Sequence, residues 1–161
     1  MSSCRAVLTR LSDAPVVDAF QSSLRTLLSA EQTGGRVGVI HIIADPRSGP
    51  PLHLHEREDE LFYVESGDIG FVCGDQRWRG GPGTQAFLPR GVPHTWYNLS
   101  DTPARLIVSV VPGGFEGFFK AVTDATADLP DPTTMLAEVS ARYGIDLLGP
   151  NPFATPEAEL V

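Results

Sequence analysis

The sequence predicts an all-β sandwich or barrel followed by α-helices. Three observations carry this expectation. The 16 glycines and 14 prolines fall largely between short apolar runs, which is the punctuation of strands and tight turns. The runs recur at intervals of about 8–12 residues, the spacing of sandwich and barrel strands. After Pro112 the apolar period changes to that of a helix. A chain of 161 residues has the length of one domain with its own core. It is read as a single unit over 1–161, with the barrel at about 24–112 and a helical tail at 113–150.

The elements follow in order. Cys4–Arg10 reads as an opening strand. Leu24–Ala30 is leucine-rich and is assigned to a strand, because Glu31–Gly35 makes a five-residue hairpin loop leading into Arg36–Ala44. That second segment is β-branched and reads as a strand outright. Further strands are expected at Glu60–Glu65, Ile69–Cys73, Gln85–Pro89, Thr95–Leu99 and Arg105–Val111. Turn-forming clusters separate them at Ser66–Asp68, Gly80–Gly83, Pro89–Pro93 and Ser100–Pro103. In the tail, Phe115, Phe118, Phe119 and Val122 occupy one face of a helix. Asp131 is an N-cap with Pro132 at the first helical position, Met135, Leu136, Val139 and Tyr143 continue the stripe, and Gly144 ends it. Pro150–Val161 reads as frayed.

Composition narrows the function. Apolar residues make up 42% and charged residues 20%, ordinary for a soluble globular chain. No apolar run approaches the length of a membrane helix, and the first ten residues lack the apolar stretch of a secretory signal. The net charge of −8, with no basic run, disfavours nucleic acid and anionic membranes as partners. Two cysteines, Cys4 and Cys73, make no disulfide framework, so reduced thiols and a cytoplasmic location are expected. Cys73 reads as a small buried hydrophobe.

The chemistry concentrates in the histidines. His53 and His55 lie two apart, so in a strand they share a face and can converge on one metal ion. The charged turn Glu56–Asp59 follows, and then Glu60 leads the apolar run Leu61–Val64. A carboxylate at that place needs a partner if it is buried, and a divalent cation is one. His94 opens another strand. Three imidazoles and a carboxylate suit Fe, Mn, Co, Ni, Cu or Zn rather than Ca or Mg. The fourth histidine, His41, is read as a surface or hydrogen-bonded residue. Period two from Glu60 adds Phe62 and Val64 to the ligand face, and period two from His94 adds Trp96 and Asn98. With Phe87, these make an aromatic lining that suits an apolar organic ligand or simply fills a small barrel.

The spacing of these residues resembles that of the cupin superfamily. Its first motif is Gly, five residues, His-x-His, three or four residues, Glu, six residues, Gly; the chain has His53, His55, Glu60 and Gly67 at those intervals. Its second is Gly, five residues, Pro-x-Gly, two residues, His, three residues, Asn; Gly83, Pro89, Gly91, His94 and Asn98 match at each fixed place. The leading glycine of the first motif falls instead on Arg47, with Gly49 nearby. A looser likeness over about 24–125 is to bacterial quercetin dioxygenase-like cupins.

The resemblance implies a jelly-roll barrel with His53, His55, Glu60 and His94 around one divalent metal. It implies a small-molecule substrate, with O₂ as co-substrate if the chemistry is that of a dioxygenase acting on a phenolic or enolic metabolite. Glu60 would then be both ligand and catalytic base. A non-redox isomerase, cyclase, lyase or decarboxylase would use the same ligands, and a binding protein without turnover remains a third class. Such chains commonly pair as homodimers, for which Cys4–Arg10 is a candidate edge strand. The phenylalanine face of the tail must dock on the barrel, as packing in preference to a lid.

Overall fold

A computed structural model describes residues 5–125 and 131–155. The strands are β1 (Val16–Ala19), β2 (Ser22–Leu28), β3 (Gly38–Ala44), β4 (Leu52–His55), β5 (Asp59–Ser66), β6 (Ile69–Cys73), β7 (Gln76–Gly80), β8 (Gln85–Leu88), β9 (His94–Asn98), β10 (Ala104–Val111) and β11 (Ile145–Gly149). The helices are α1 (Ala30–Thr33), α2 (Phe118–Ala125) and α3 (Pro132–Tyr143). A six-stranded sheet runs β1-β2-β3-β10-β5-β8 and a five-stranded sheet runs β11-β4-β9-β6-β7, both antiparallel in their pairings. The expected all-β architecture with C-terminal helices is what the chain adopts.

Alternation along the strands makes the core. In β10, Ala104, Leu106, Val108 and Val110 are buried while Arg105 and Val111 are exposed. In β5, Glu60, Phe62 and Val64 turn inward while Tyr63 and Glu65 turn out. Phe62 meets Phe71 and Trp96 of the facing sheet at ring distances of 5.7 and 6.4 Å. Each such ring contributes roughly 1.5–3 kcal/mol by leaving water.

The C-terminal segment is part of the sheet. Asp131 caps α3 through the Thr134 amide at 2.9 Å, and Gly144 ends it in the left-handed conformation with φ 67°. The chain then returns as β11 alongside β4, placing Ile145 opposite His55 and Leu147 opposite His53. Asn151 donates to the carbonyls of Pro50 and Trp96, and Phe153 stacks on Tyr97 over Gly70, where no Cβ would fit.

Several expectations need correction. Residues 5–10 form no strand, and Cys4 lies outside the described residues; the edge of the six-stranded sheet is β1 instead. The loop expected at Glu31–Gly35 contains α1, held by a capping box between Ser29 and Gln32. Phe115 belongs to a 3-10 turn that precedes α2. Residues 150–155 do not all fray, since Asn151 and Phe153 are buried; 156–161 lie outside the described residues. The strands β1, β7 and β11 were not anticipated. They are short, and in β7 four of the five residues are exposed, so their sequences lack an apolar pattern.

Arg47, where the motif has glycine, has φ 52°. Arg47 thus occupies the left-handed region that favours glycine, and its side chain bonds Asp101. Gly49 cannot be replaced in the same way, because a Cβ there would strike the Trp96 carbonyl.

Asn98 is fully buried on the inner face of β9, and its amide ties two loops together. Nδ2 donates to the carbonyls of Asp45 at 3.0 Å and Thr102 at 2.9 Å, and Oδ1 accepts from the Ser100 amide. Replacing Asn98 with Ala leaves these groups unpaired. The expected loss is about 2–3 kcal/mol in urea unfolding, with the metal content of the folded protein unchanged.

Candidate metal centre and pocket

The strands that bear the candidate ligands are placed by pairing. His53 of β4 lies opposite His94 of β9, and β4 is joined to β5 through the turn 56–58, which brings Glu60 beneath them. One donor atom from each of His53, His55, Glu60 and His94 lies within 4.8 Å of all the others, and all four residues are buried. The structure thus gathers the four residues singled out by their spacing into one cluster that could bind a metal ion.

The hydrogen bonds orient the rings. His53 Nδ1 contacts the Pro51 carbonyl at 2.7 Å, and His94 Nδ1 contacts the Val92 carbonyl at 2.8 Å. A carbonyl only accepts, so both nitrogens carry hydrogen, and in the neutral rings that bind a metal each Nε2 is left with a lone pair. His94 Nε2 is nevertheless 3.0 Å from Glu60 Oε2, and His55 Nε2 is 3.7 Å from Glu60 Oε1. Lone pairs facing a carboxylate need positive charge between them. His55 Nε2 is in addition buried without a hydrogen-bond partner. A single cation satisfies all four groups, and the donor set of three imidazoles and one carboxylate fits a divalent transition metal.

At His53 and Glu60 the electrostatics favour the ligating forms; at His55 burial acts downward, but Glu60 and Glu58 outweigh it and raise the imidazole. Burial pushes the His53 imidazole down to about 4, aided by the nearby His94. Burial also works to raise the Glu60 carboxyl, but His55 and His94 outweigh it and hold the group at about 2. At neutral pH His53 is therefore neutral and Glu60 anionic.

Beside this cluster lies a pocket with about 700 Å³ of empty space, its open mouth included. His53 and Glu60 form a polar patch in a wall that is otherwise largely apolar. Phe62 and Trp96 line it. Val64 is on the same face but packs deeper in the core, and Asn98 serves the loops described above. Phe87 does not line it: it pairs with Leu61 on the outer side of β8 and is 59% exposed, because its neighbour Leu88 takes the inward position.

The remaining wall comes from outside the motif strands. Phe20, Phe115, Phe118 and Phe119 close one side, and Leu136, Ile145 and Leu147 contribute from the C-terminal segment. Phe20 sits in the two-residue turn between β1 and β2 at φ 51° and stacks against Phe118 at 6.1 Å. Phe115 stands edge-on to His55 at 4.4 Å. The tail phenylalanines are thus both packing and pocket wall. Their helical spacing was visible in the sequence; the contributions of Phe20, Ile145 and Leu147 carried no local signal. His41 is buried and bonded to Glu65 at 2.8 Å, apart from this cluster. Cys73 is buried and free, and burial pushes its thiol pKa up.

Residues 40–110 match the family described as the cupin domain. The matched stretch runs from β3 into β10 of the barrel. Comparison with curated proteins gives no match. Among solved structures, the chain is similar to a predicted oxalate decarboxylase from Thermotoga maritima, with 20% identity and a TM-score of 0.62 over 66% of this chain and 99% of that one. It is also similar to KdgF from Halomonas sp., with 16% identity and a TM-score of 0.62 over 70% and 98%. The likeness to the polyketide cyclase RemF from Streptomyces resistomycificus has 23% identity and a TM-score of 0.56, and covers 82% of this chain and 99% of that chain. At these identities the likeness is one of fold.

Replacing His55 with Ala removes a fully buried imidazole and leaves a gap between Phe115 and His94. Metal measured on purified protein should fall from near one equivalent to a small fraction of it. Equal content in parent and variant would mean that the metal sits elsewhere.

Proposed function

We propose that this cupin is a metal-dependent dioxygenase acting on an aromatic metabolite that carries a phenolic or enolic oxygen. The observation that carries the reading is the pocket itself: a mouth and walls of phenylalanine, proline and aliphatic side chains converging on a polar patch at His53 and Glu60. An apolar ring gains most by burial among Phe20, Phe62, Trp96 and Phe119, and its one oxygen is then directed at that patch. A divalent metal held by His53, His55, Glu60 and His94 would supply Lewis acidity toward that oxygen and toward O₂. Glu60 is anionic and opens into the pocket, so it can accept the proton of the substrate hydroxyl. The apolar walls keep water from competing for the site.

A second reading is favoured by one observation. The likeness to the polyketide cyclase extends over 82% of the chain, beyond the cupin match. The same residues would then polarise a carbonyl and move a proton without consuming O₂. Oxygen uptake by metal-loaded protein across a panel of flavonols, phenols and enols separates the two. Substrate-dependent uptake supports the dioxygenase; conversion without uptake supports the cyclase type. In either case Glu60→Gln should lower turnover by about 10²-fold or more while retaining a larger share of the metal. Unchanged turnover would remove Glu60 from the chemistry.

The protein is further read as a cytoplasmic homodimer. Leu61, Tyr63 and Phe87 form an apolar group on the outer face of β5 and β8, with Tyr63 43% and Phe87 59% exposed, and a second copy is the proposed cover. Sedimentation at micromolar concentration should give twice the chain mass; a single species near 17.3 kDa would contradict this.

A further inference from the structure

Two of the three histidines in the cluster have their outer nitrogen bonded to a backbone carbonyl, and the third does not. His55 Nδ1 is buried without a hydrogen-bond partner. Facing it at 3.4 Å is Glu58 Oε2, which is likewise buried and without a hydrogen-bond partner. Glu58 is 4% exposed, and its one ion pair among the described residues is with His55. Two orphaned polar atoms pointing at each other in the interior are both satisfied by one hydrogen bond, which a shift of a few tenths of an ångström would close.

We propose that Glu58 is the outer carboxylate of the metal centre, accepting the Nδ1–H of His55 and balancing the charge of the bound ion. The assignment rests on the metal-site reading above. The ring cannot seek another partner. It lies parallel to His94 at 5.5 Å and edge-on to Phe115 at 4.4 Å, and it is fully buried. When Nε2 faces the metal, Nδ1 must carry the hydrogen and needs an acceptor. The charge count points the same way. A divalent ion with Glu60 and three neutral imidazoles leaves one buried positive charge, and Glu58 cancels it. Glu58 also lies in the turn that joins β4 to β5, between the strands that bear His55 and Glu60, so its position is set by the same backbone as the ligands. It is a positioning residue: it lines no part of the pocket wall.

Competition for Zn²⁺ against a chromophoric chelator tests this on the full chain. Glu58→Gln keeps an acceptor oxygen but loses the charge, and the zinc affinity should fall about 10- to 100-fold. Asn98→Ala serves as the control, because it weakens the fold away from the metal and should retain the parental affinity. If Glu58→Gln does not fold, Glu58→Asp, which keeps the charge but shortens its reach, should show a smaller loss in the same direction. Affinity equal to the parent in the Glu58 variant, or an equal loss in Asn98→Ala, would overturn the assignment while leaving the metal site intact. A parent chain that takes up no zinc, cobalt, nickel, manganese, copper or iron would overturn the metal-site reading and this assignment with it.

Discussion

Burying Glu60 among three imidazoles is the constraint around which the protein is organised. A carboxylate 3% exposed, in contact with nitrogen lone pairs, is unfavourable unless a cation is shared among them. The surrounding fold keeps these groups from rotating apart or reaching water. Backbone carbonyls of Pro51 and Val92 fix two rings, and Phe115 and His94 pack against the third. The result is a site whose donors are oriented before any ion arrives, which is where metal affinity and selectivity originate.

The same constraint explains the extension beyond the match to the cupin domain. Without β11, the strand β4 with its two histidines would be the edge of the five-stranded sheet, free to shift register. The pairing of Ile145 and Leu147 opposite His55 and His53 removes that freedom and adds two apolar walls to the pocket. Glu116 helps hold the other side. Its buried carboxylate accepts from the Ala30 and Gly114 amides, tying the 3-10 turn that carries Phe115 to α1. Site and pocket are therefore products of both the barrel and its appendages.

Much of this was legible in the sequence, and the limits have physical causes. The cluster of His53, His55, Glu60 and His94, which could bind a metal ion, was readable because such a site fixes residue type and strand period at once. Phe62 and Trp96 followed from that period. Phe87 was misplaced because its strand starts from a different register: Leu88 pairs with Glu60 and takes the inner face. Ile145 and Leu147 could not be found locally, since a short half-exposed strand has no pattern until its partner is known. Glu58 was submerged in a charged turn, where a buried carboxylate looks like its solvated neighbours.

The central claim is that one ion is held by three imidazoles and a carboxylate in this interior. X-ray absorption at the edge of the metal carried by the purified protein measures that arrangement directly. The account predicts nitrogen and oxygen neighbours at about 2.0–2.2 Å, with the outer-shell scattering of three imidazole rings and no sulfur. A first shell containing sulfur, or scattering from fewer than two imidazoles, would contradict it.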